Sequence, residues 1–164
     1  KNNFFKSLED YPTNEWKKTI DVNLNAMFYM TKHFLKLMLK AKNPVILNTS
    51  STYGKVSPNK SIYGNSGINA PVGYTATKAG IIGFTKYIAT HYGDRGLRAN
   101  VLIPGGVENK NQSKLFKKNY SKLTPLKRMA KQNEYKRAVL FLVSDESSYM
   151  TGSEFIIDGG WTAW

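Results

Sequence analysis

The 164-residue sequence predicts an α/β fold with a parallel sheet and flanking helices. Three observations point there. Helical and strand-like segments alternate along the chain, the pattern of parallel α/β sheets. The strand-like runs are short and apolar, as expected of strands buried on both faces, and all three end in glycine-containing loops. With 41% hydrophobic residues, no internal repeat and no low-complexity tract, residues 1–164 suffice for a single domain around one core.

Residues 13 to 41 read as one long helix with Thr13 as its N-cap and Asn43-Pro44 as its stop. Its apolar stripe is Trp16, Ile20, Met27, Phe34 and Met38, and Asn23 falls on that stripe. On periodicity alone Asn23 is a register-setting polar residue or the cap of a local kink. Residues 45 to 49 read as a buried strand leading into Ser50-Ser51-Thr52-Tyr53-Gly54. Ligands of open α/β sheets sit beyond the carboxyl ends of the strands, which puts both serines in reach of chemistry. Residues 55 to 70 form a loop whose Ile62, Tyr63 and Ile68 imply packing or substrate contact. Residues 72 to 92 make the second strong helix, with Pro71 near its start and Gly93 past its end. Gly80 and Gly83 inside it each cost up to about 1 kcal/mol, so another backbone, of this chain or of a second subunit, is expected to approach closely there. A strand at 98 to 103 ends at Pro104-Gly105-Gly106. Residues 107 to 130 read as a polar, basic connector. A third helix over 132 to 143 turns Ala138, Val139, Leu142 and Val143 inward, and residues 154 to 157 form the last strand.

The net charge of +13 raises a nucleic-acid reading, but the charge is mostly scattered lysine, with only four arginines. No zinc-finger spacing or aromatic RNA-binding signature accompanies it, so a solvated basic surface is the better account. No apolar run has membrane-spanning length, and the start lacks the pattern of a signal peptide. There is no cysteine, which excludes disulfides and thiolate metal sites and fits a reducing cytoplasm. His33 and His91 lack carboxylate or cysteine partners at ligand spacing, so no metal site is expected.

The candidate chemistry lies at Tyr74-x-x-x-Lys78. The 10 tyrosines and 20 lysines of the chain would produce about one such pair by chance, and one is present. Context gives it weight: it opens a helix, with a serine-bearing strand end upstream and a Pro-Gly strand end downstream. Four residues of helix place the phenol and the ammonium on one face. A free phenol, with a pKa of about 10, is a poor base near neutrality, and a neighbouring ammonium favours the phenolate. Such a pair can exchange a proton with a carbinol oxygen while a hydride moves at carbon, and a serine can steady that oxygen. No Gly-x-Ser-x-Gly elbow supports a hydrolase instead.

Eight blocks, in order along the chain, resemble the short-chain dehydrogenase/reductase family. They are Asp21-Val22-Asn23-Leu24, Asn48-Thr49-Ser50-Ser51-x-x-Gly54, Tyr74-x-x-x-Lys78-Ala79-Gly80, Arg98-Ala99-Asn100-Val101, Pro104-Gly105-Gly106-Val107, Thr124-Pro125-Leu126-x-Arg128-Met129, Tyr149-Met150-Thr151-Gly152 and Asp158-Gly159-Gly160-Trp161. The resemblance implies the C-terminal half of a Rossmann-type fold and an oxidoreductase using NAD or NADP. It implies Tyr74 as general acid/base and Lys78 as its charge partner and ribose ligand. Ser51 would orient the substrate oxygen, and Asn23 would hold a water of a proton relay. Pro104, Gly105 and Val107 would line the nicotinamide pocket. Asn109 would bond the carboxamide where family members often carry Thr. Family precedent also implies a homodimer or homotetramer, with the last strand and tail at an interface.

Two departures qualify the resemblance. The gap from Ser51 to Tyr74 is 23 residues, longer than the family norm, so the loop over 57 to 70 is expected to border the substrate. Its Tyr63, Asn65 and Asn69 suggest a polar, sugar-like molecule. The pattern around Gly73-Tyr74 and the ending Gly159 to Trp164 resembles members acting in flagellin glycan or nonulosonic-acid biosynthesis. Secondly, the Gly-rich strand-turn-helix that cradles a pyrophosphate is absent from the sequence. The expectation is a fragment lacking some three βαβ-type units, roughly 90 residues, with one sheet edge left open. The alternative is a truncated, non-catalytic remnant or interaction protein without cofactor affinity.

Overall fold

The computed structural model describes residues 3–164. Three parallel strands form the sheet: β1 (Val45–Thr49), β2 (Arg98–Pro104) and β3 (Glu154–Ile157), in the order β1-β2-β3. Ile46 lies opposite Ala99, and Leu102 opposite Phe155. All five residues from Ala99 to Ile103 are buried, as the central position of β2 requires. No strand pairs with the outer edge of β1 among the described residues, the open edge the sequence implies.

The first helical stretch is not continuous. It comprises α1 (Thr13–Ile20), a π-helical turn at Asp21–Asn25 and α2 (Ala26–Met38). Pro12, not Thr13, is the N-cap, and Thr13 opens the helix without a side-chain cap. Helix α2 stops at Met38, and Asn43 (φ 53°) turns the chain into β1. Trp16 (38% exposed) and Phe34 (42%) stand at the surface rather than in a core stripe. Met27 and Met38 of that stripe do pack against α3 and the sheet, joined by Leu24 and Leu35.

Helix α3 (Val72–Tyr92) joins β1 to β2, capped by Pro71 and ending at Gly93. Its Ile81 and Ile82 pack on Val101 and Ile103, while Ile88 and Ala89 pack on Leu97 and Ala99. Burying each of these isoleucines contributes roughly 1.5–3 kcal/mol. Within the chain, Gly80 meets a side chain and not a backbone: a Cβ there would lie 3.1 Å from both methyls of Leu24, and nothing of the chain lies within 4 Å of one at Gly83.

The connector after β2 holds a helix that hydropathy did not reveal, α4 (Lys114–Leu123), with Ser113 Oγ accepting from the Phe116 amide at 3.1 Å. The third expected helix is a 3₁₀ turn (Gln132–Tyr135) running into α5 (Lys136–Val143). Of its expected inward residues Leu142 is fully buried, but Val139 (37%) and Val143 (46%) are exposed. Arg98 fastens the segment between α5 and β3, donating to the carbonyls of Ser144, Ser147 and Met150. No described helix is long and apolar enough to cross a membrane.

Candidate active site

Strand β1 ends at Thr49, and the next two serines diverge. Ser50 is buried, and its hydroxyl donates to the main-chain carbonyl of Lys78 at 2.6 Å. Ser51 caps a 3₁₀ turn (Thr52–Gly54), accepting from the Tyr53 amide at 3.2 Å, and opens onto a cleft. Gly54 allows the turn to lie on α3. A Cβ at this position would sit 2.6 Å from Ser50 Oγ and 2.7 Å from the Lys78 carbonyl oxygen.

The cleft encloses about 270 Å³ beyond the carboxyl ends of β1 and β2. Ser51, Tyr74, Pro104, Gly105 and Val107 all line it, although they come from three separate parts of the chain. Lys78 lies one turn along α3 from Tyr74, its Nζ 5.5 Å from the centre of the phenol ring. That ammonium donates to the Thr49 carbonyl at 2.9 Å, which ties the end of β1 to α3 and leaves further N–H groups for other partners. Burial lowers the Lys78 pKa from its ordinary value.

Asn23 reaches α3 from the π-helical turn. Its amide donates to Thr77 Oγ1 at 3.0 Å, and that hydroxyl donates to the Tyr74 carbonyl at 2.8 Å. Asn23's partner thus lies three residues after Tyr74 and immediately before Lys78 on α3. A π turn inside a long helix frequently marks a functional position. Asn109 lies apart: it does not line the cleft, and its side chain closes a local turn by accepting from the Asn111 amide at 2.9 Å. Asn65 and Asn69 are likewise absent from the cleft wall, whereas Tyr63 is part of it.

Several lining residues were not singled out from sequence. Tyr53, Gln112, Phe116, Tyr120 and Met129 also line the wall, together with Ser50, Thr52 and Gly106. Tyr120 stacks on Trp161 at 4.3 Å and accepts from the Gly106 amide at 2.6 Å, and burial pushes its pKa up to about 12. Gln112 donates to the Val107 carbonyl at 2.9 Å. The spacing of Phe116 and Tyr120, four residues apart after a serine cap, was the available signal. Among the described residues no cluster of His, Cys, Asp or Glu could hold a metal ion.

The residues present fit the nicotinamide end of a dinucleotide. The turn after β2 forms a largely apolar wall, and Tyr74, Ser51 and Lys78 supply hydroxyl and ammonium groups beside it.

A family model described as enoyl-(acyl carrier protein) reductase matches residues 1–162. A cyclohexanol dehydrogenase from Acinetobacter sp. (strain SE19) is 34% identical over 157 residues, covering 96% of this chain and 59% of that protein. A 3-oxoacyl-[acyl-carrier-protein] reductase from Thermotoga maritima is 40% identical over 149 residues, covering 89% of this chain and 56% of the relative. Among solved structures, a short chain dehydrogenase from Leptospira borgpetersenii with bound NAD+ superposes with a TM-score of 0.89 at 40% identity. That match covers 96% of this chain and 60% of the Leptospira chain, so the sequence spans less than two thirds of the relatives it matches. With the blocks around Asn23, Ser51, Tyr74 and Lys78 in place and the family match running almost end to end, the chain belongs to the short-chain dehydrogenase/reductase family.

Proposed function

We propose that the chain carries the catalytic residues of an NAD(P)-dependent oxidoreductase that interconverts an alcohol and a ketone on a small polar metabolite. The observation that carries this reading is that Ser51 and Tyr74 open onto one cleft with Lys78 directly behind the phenol. The nicotinamide would supply or accept the hydride, held by Pro104, Gly105 and Val107, with Lys78 on its ribose. The role of Asn109 toward the carboxamide requires its loop to approach the cleft.

In the oxidative direction Tyr74 takes the hydroxyl proton of the substrate, and in the reductive direction it returns one to the carbonyl oxygen. Ser51 donates to that oxygen as its charge grows. The Lys78 ammonium balances the phenolate formed on Tyr74. Asn23, joined through Thr77 to the first turn of α3, holds the end of a proton path from Lys78 to solvent.

The phenols and the Gln112 amide in the cleft support a polar, sugar-like substrate, as in the flagellin and nonulosonic-acid type. The apolar residues exposed on α2 (Phe28, Tyr29, Met30, Phe34 and Leu37), with Ile156 and Trp164 near the C-terminus, support a homodimer or homotetramer. Lack of cysteine supports the cytoplasm as its compartment.

Titration with NADH and NADPH, followed by nicotinamide fluorescence, tests the reading. Saturable binding is expected; no binding at millimolar concentration of either would favour the remnant without cofactor affinity.

A further inference from the structure

Tyr63 has no part in the proton transfer, yet it is held in the cleft with care. It ends a 3₁₀ turn (Lys60–Tyr63) in the long loop between Ser51 and Tyr74. Ile62, fully buried with Tyr120, Met129 and Trp161, anchors that turn. The Asn119 amide of α4 donates to the Ser61 carbonyl at 3.3 Å, and Gly64 (φ 53°) lies under Leu115, where a Cβ would meet a methyl at 3.1 Å. The Tyr63 ring packs on Phe116 at 5.8 Å. Its position is therefore set by packing before any ligand arrives.

The protonation state is also set. Tyr53 and Tyr63 both line the cleft, and burial raises the pKa of each phenol above its ordinary value, so Tyr63 keeps its proton at neutral pH. The Tyr63 hydroxyl therefore carries a hydrogen that it can donate into the cleft it lines. Tyr74 is near enough to act on it electrostatically, and both line the same cleft.

A donor fixed in a partly buried aromatic cleft loses a hydrogen bond when an apolar group displaces its water. A site of this kind rejects analogues that lack the matching oxygen far more strongly than an apolar pocket rejects a missing methylene. Ser51 and Tyr74 already serve the reacting oxygen. We propose that Tyr63 is a specificity-determining residue that donates to a second substrate oxygen, on the carbon adjoining the reacting one. The site then takes vicinal diols and α-hydroxy ketones in preference to monofunctional alcohols. The inference rests on the oxidoreductase reading above and deepens it.

Butane-2,3-diol and butan-2-ol differ only by that second hydroxyl and make the test. In protein shown by the titration to bind cofactor, kcat/KM for the diol is expected to exceed that for butan-2-ol by about a hundredfold or more. Tyr63→Phe, which keeps the ring on Phe116, is expected to shrink that ratio at least about tenfold. Equal kcat/KM for the two alcohols, or a ratio untouched by Tyr63→Phe, would overturn the inference and leave the oxidoreductase reading intact. Absence of turnover for both alcohols with NAD and NADP counts against the oxidoreductase reading. In that event saturation-transfer NMR on the unmodified chain decides separately: tighter binding of the diol supports the role of Tyr63, and equal binding overturns it.

Discussion

The Ser50 hydroxyl donates to the carbonyl of Lys78 at 2.6 Å, joining the tip of β1 to the helix that carries Tyr74 and Lys78, the proposed acid/base pair. The reverse tie runs alongside it, from Lys78 Nζ to the Thr49 carbonyl at 2.9 Å. Two adjacent serines therefore do different work: Ser50 fixes the distance between strand and helix, and Ser51 faces the cleft.

That division predicts opposite phenotypes. Ser50→Ala leaves the buried carbonyl of Lys78 short of a partner and costs about 1–3 kcal/mol of stability in urea denaturation. Ser51→Ala shifts the same curve by less than about 0.5 kcal/mol. On the proposed role of Ser51 as donor to the substrate oxygen, it lowers kcat by about a hundredfold. Equal stability losses in the two variants would contradict the division.

Gly54 is required by space, since its own conformation lies outside the left-handed region. Gly54→Ala drives a methyl against the Lys78 carbonyl at 2.7 Å, which must move α3 away from β1. The expected cost is about 1–3 kcal/mol, measured by denaturation, with turnover falling as Tyr74 is displaced from Ser51.

Ile62 anchors the long loop. Ile62→Ala removes a fully buried side chain from the cluster of Tyr120, Met129 and Trp161 and costs about 2–5 kcal/mol. Because that cluster backs the cleft wall, KM for a substrate should rise more than kcat falls. Hydrogen exchange should quicken at 60–64 before it quickens in α3.

Glu134 provides a pH test. It pairs with Arg128 through two contacts of 2.7 Å and accepts from the Lys131 amide at 2.7 Å, which holds its pKa down to about 2. A carboxylate depressed in the folded state contributes stability above its ordinary pKa of 4.5, and that contribution is lost as pH falls through about 2. Glu134→Gln should flatten the acid limb of the stability curve across that window and leave the limb above pH 7 unchanged. An identical acid limb in the variant would refute the assignment.

The strands and α3 were legible in the sequence because their signals are local. Pro71 and Gly93 bracket α3, and β1 and β2 are short apolar runs ending in Ser and Pro-Gly. Helix α4 was hidden because Lys114, Lys117, Lys118 and Lys122 dominate its composition, while only Phe116, Tyr120 and Leu123 face the core cluster. The π turn at Asn23 was illegible in periodicity, since one extra residue in a turn changes no residue type. The same limit explains Trp16, Val139 and Val143: an apolar stripe shows which face can be buried, and not whether anything covers it. For the site, family blocks located Ser51, Tyr74, Lys78 and the Pro104 turn. The aromatic wall of Tyr53, Phe116 and Tyr120 comes from distant segments and emerged only with the tertiary structure.

The most direct test of the central claim is Tyr74→Phe. The ring and its packing beside Lys78 remain, and only the hydroxyl is removed. The account predicts that turnover of an alcohol with NAD(P) falls by about 10²–10⁴-fold while cofactor affinity, read by nicotinamide fluorescence, changes little. Undiminished turnover in that variant would contradict Tyr74 as the group that moves the proton.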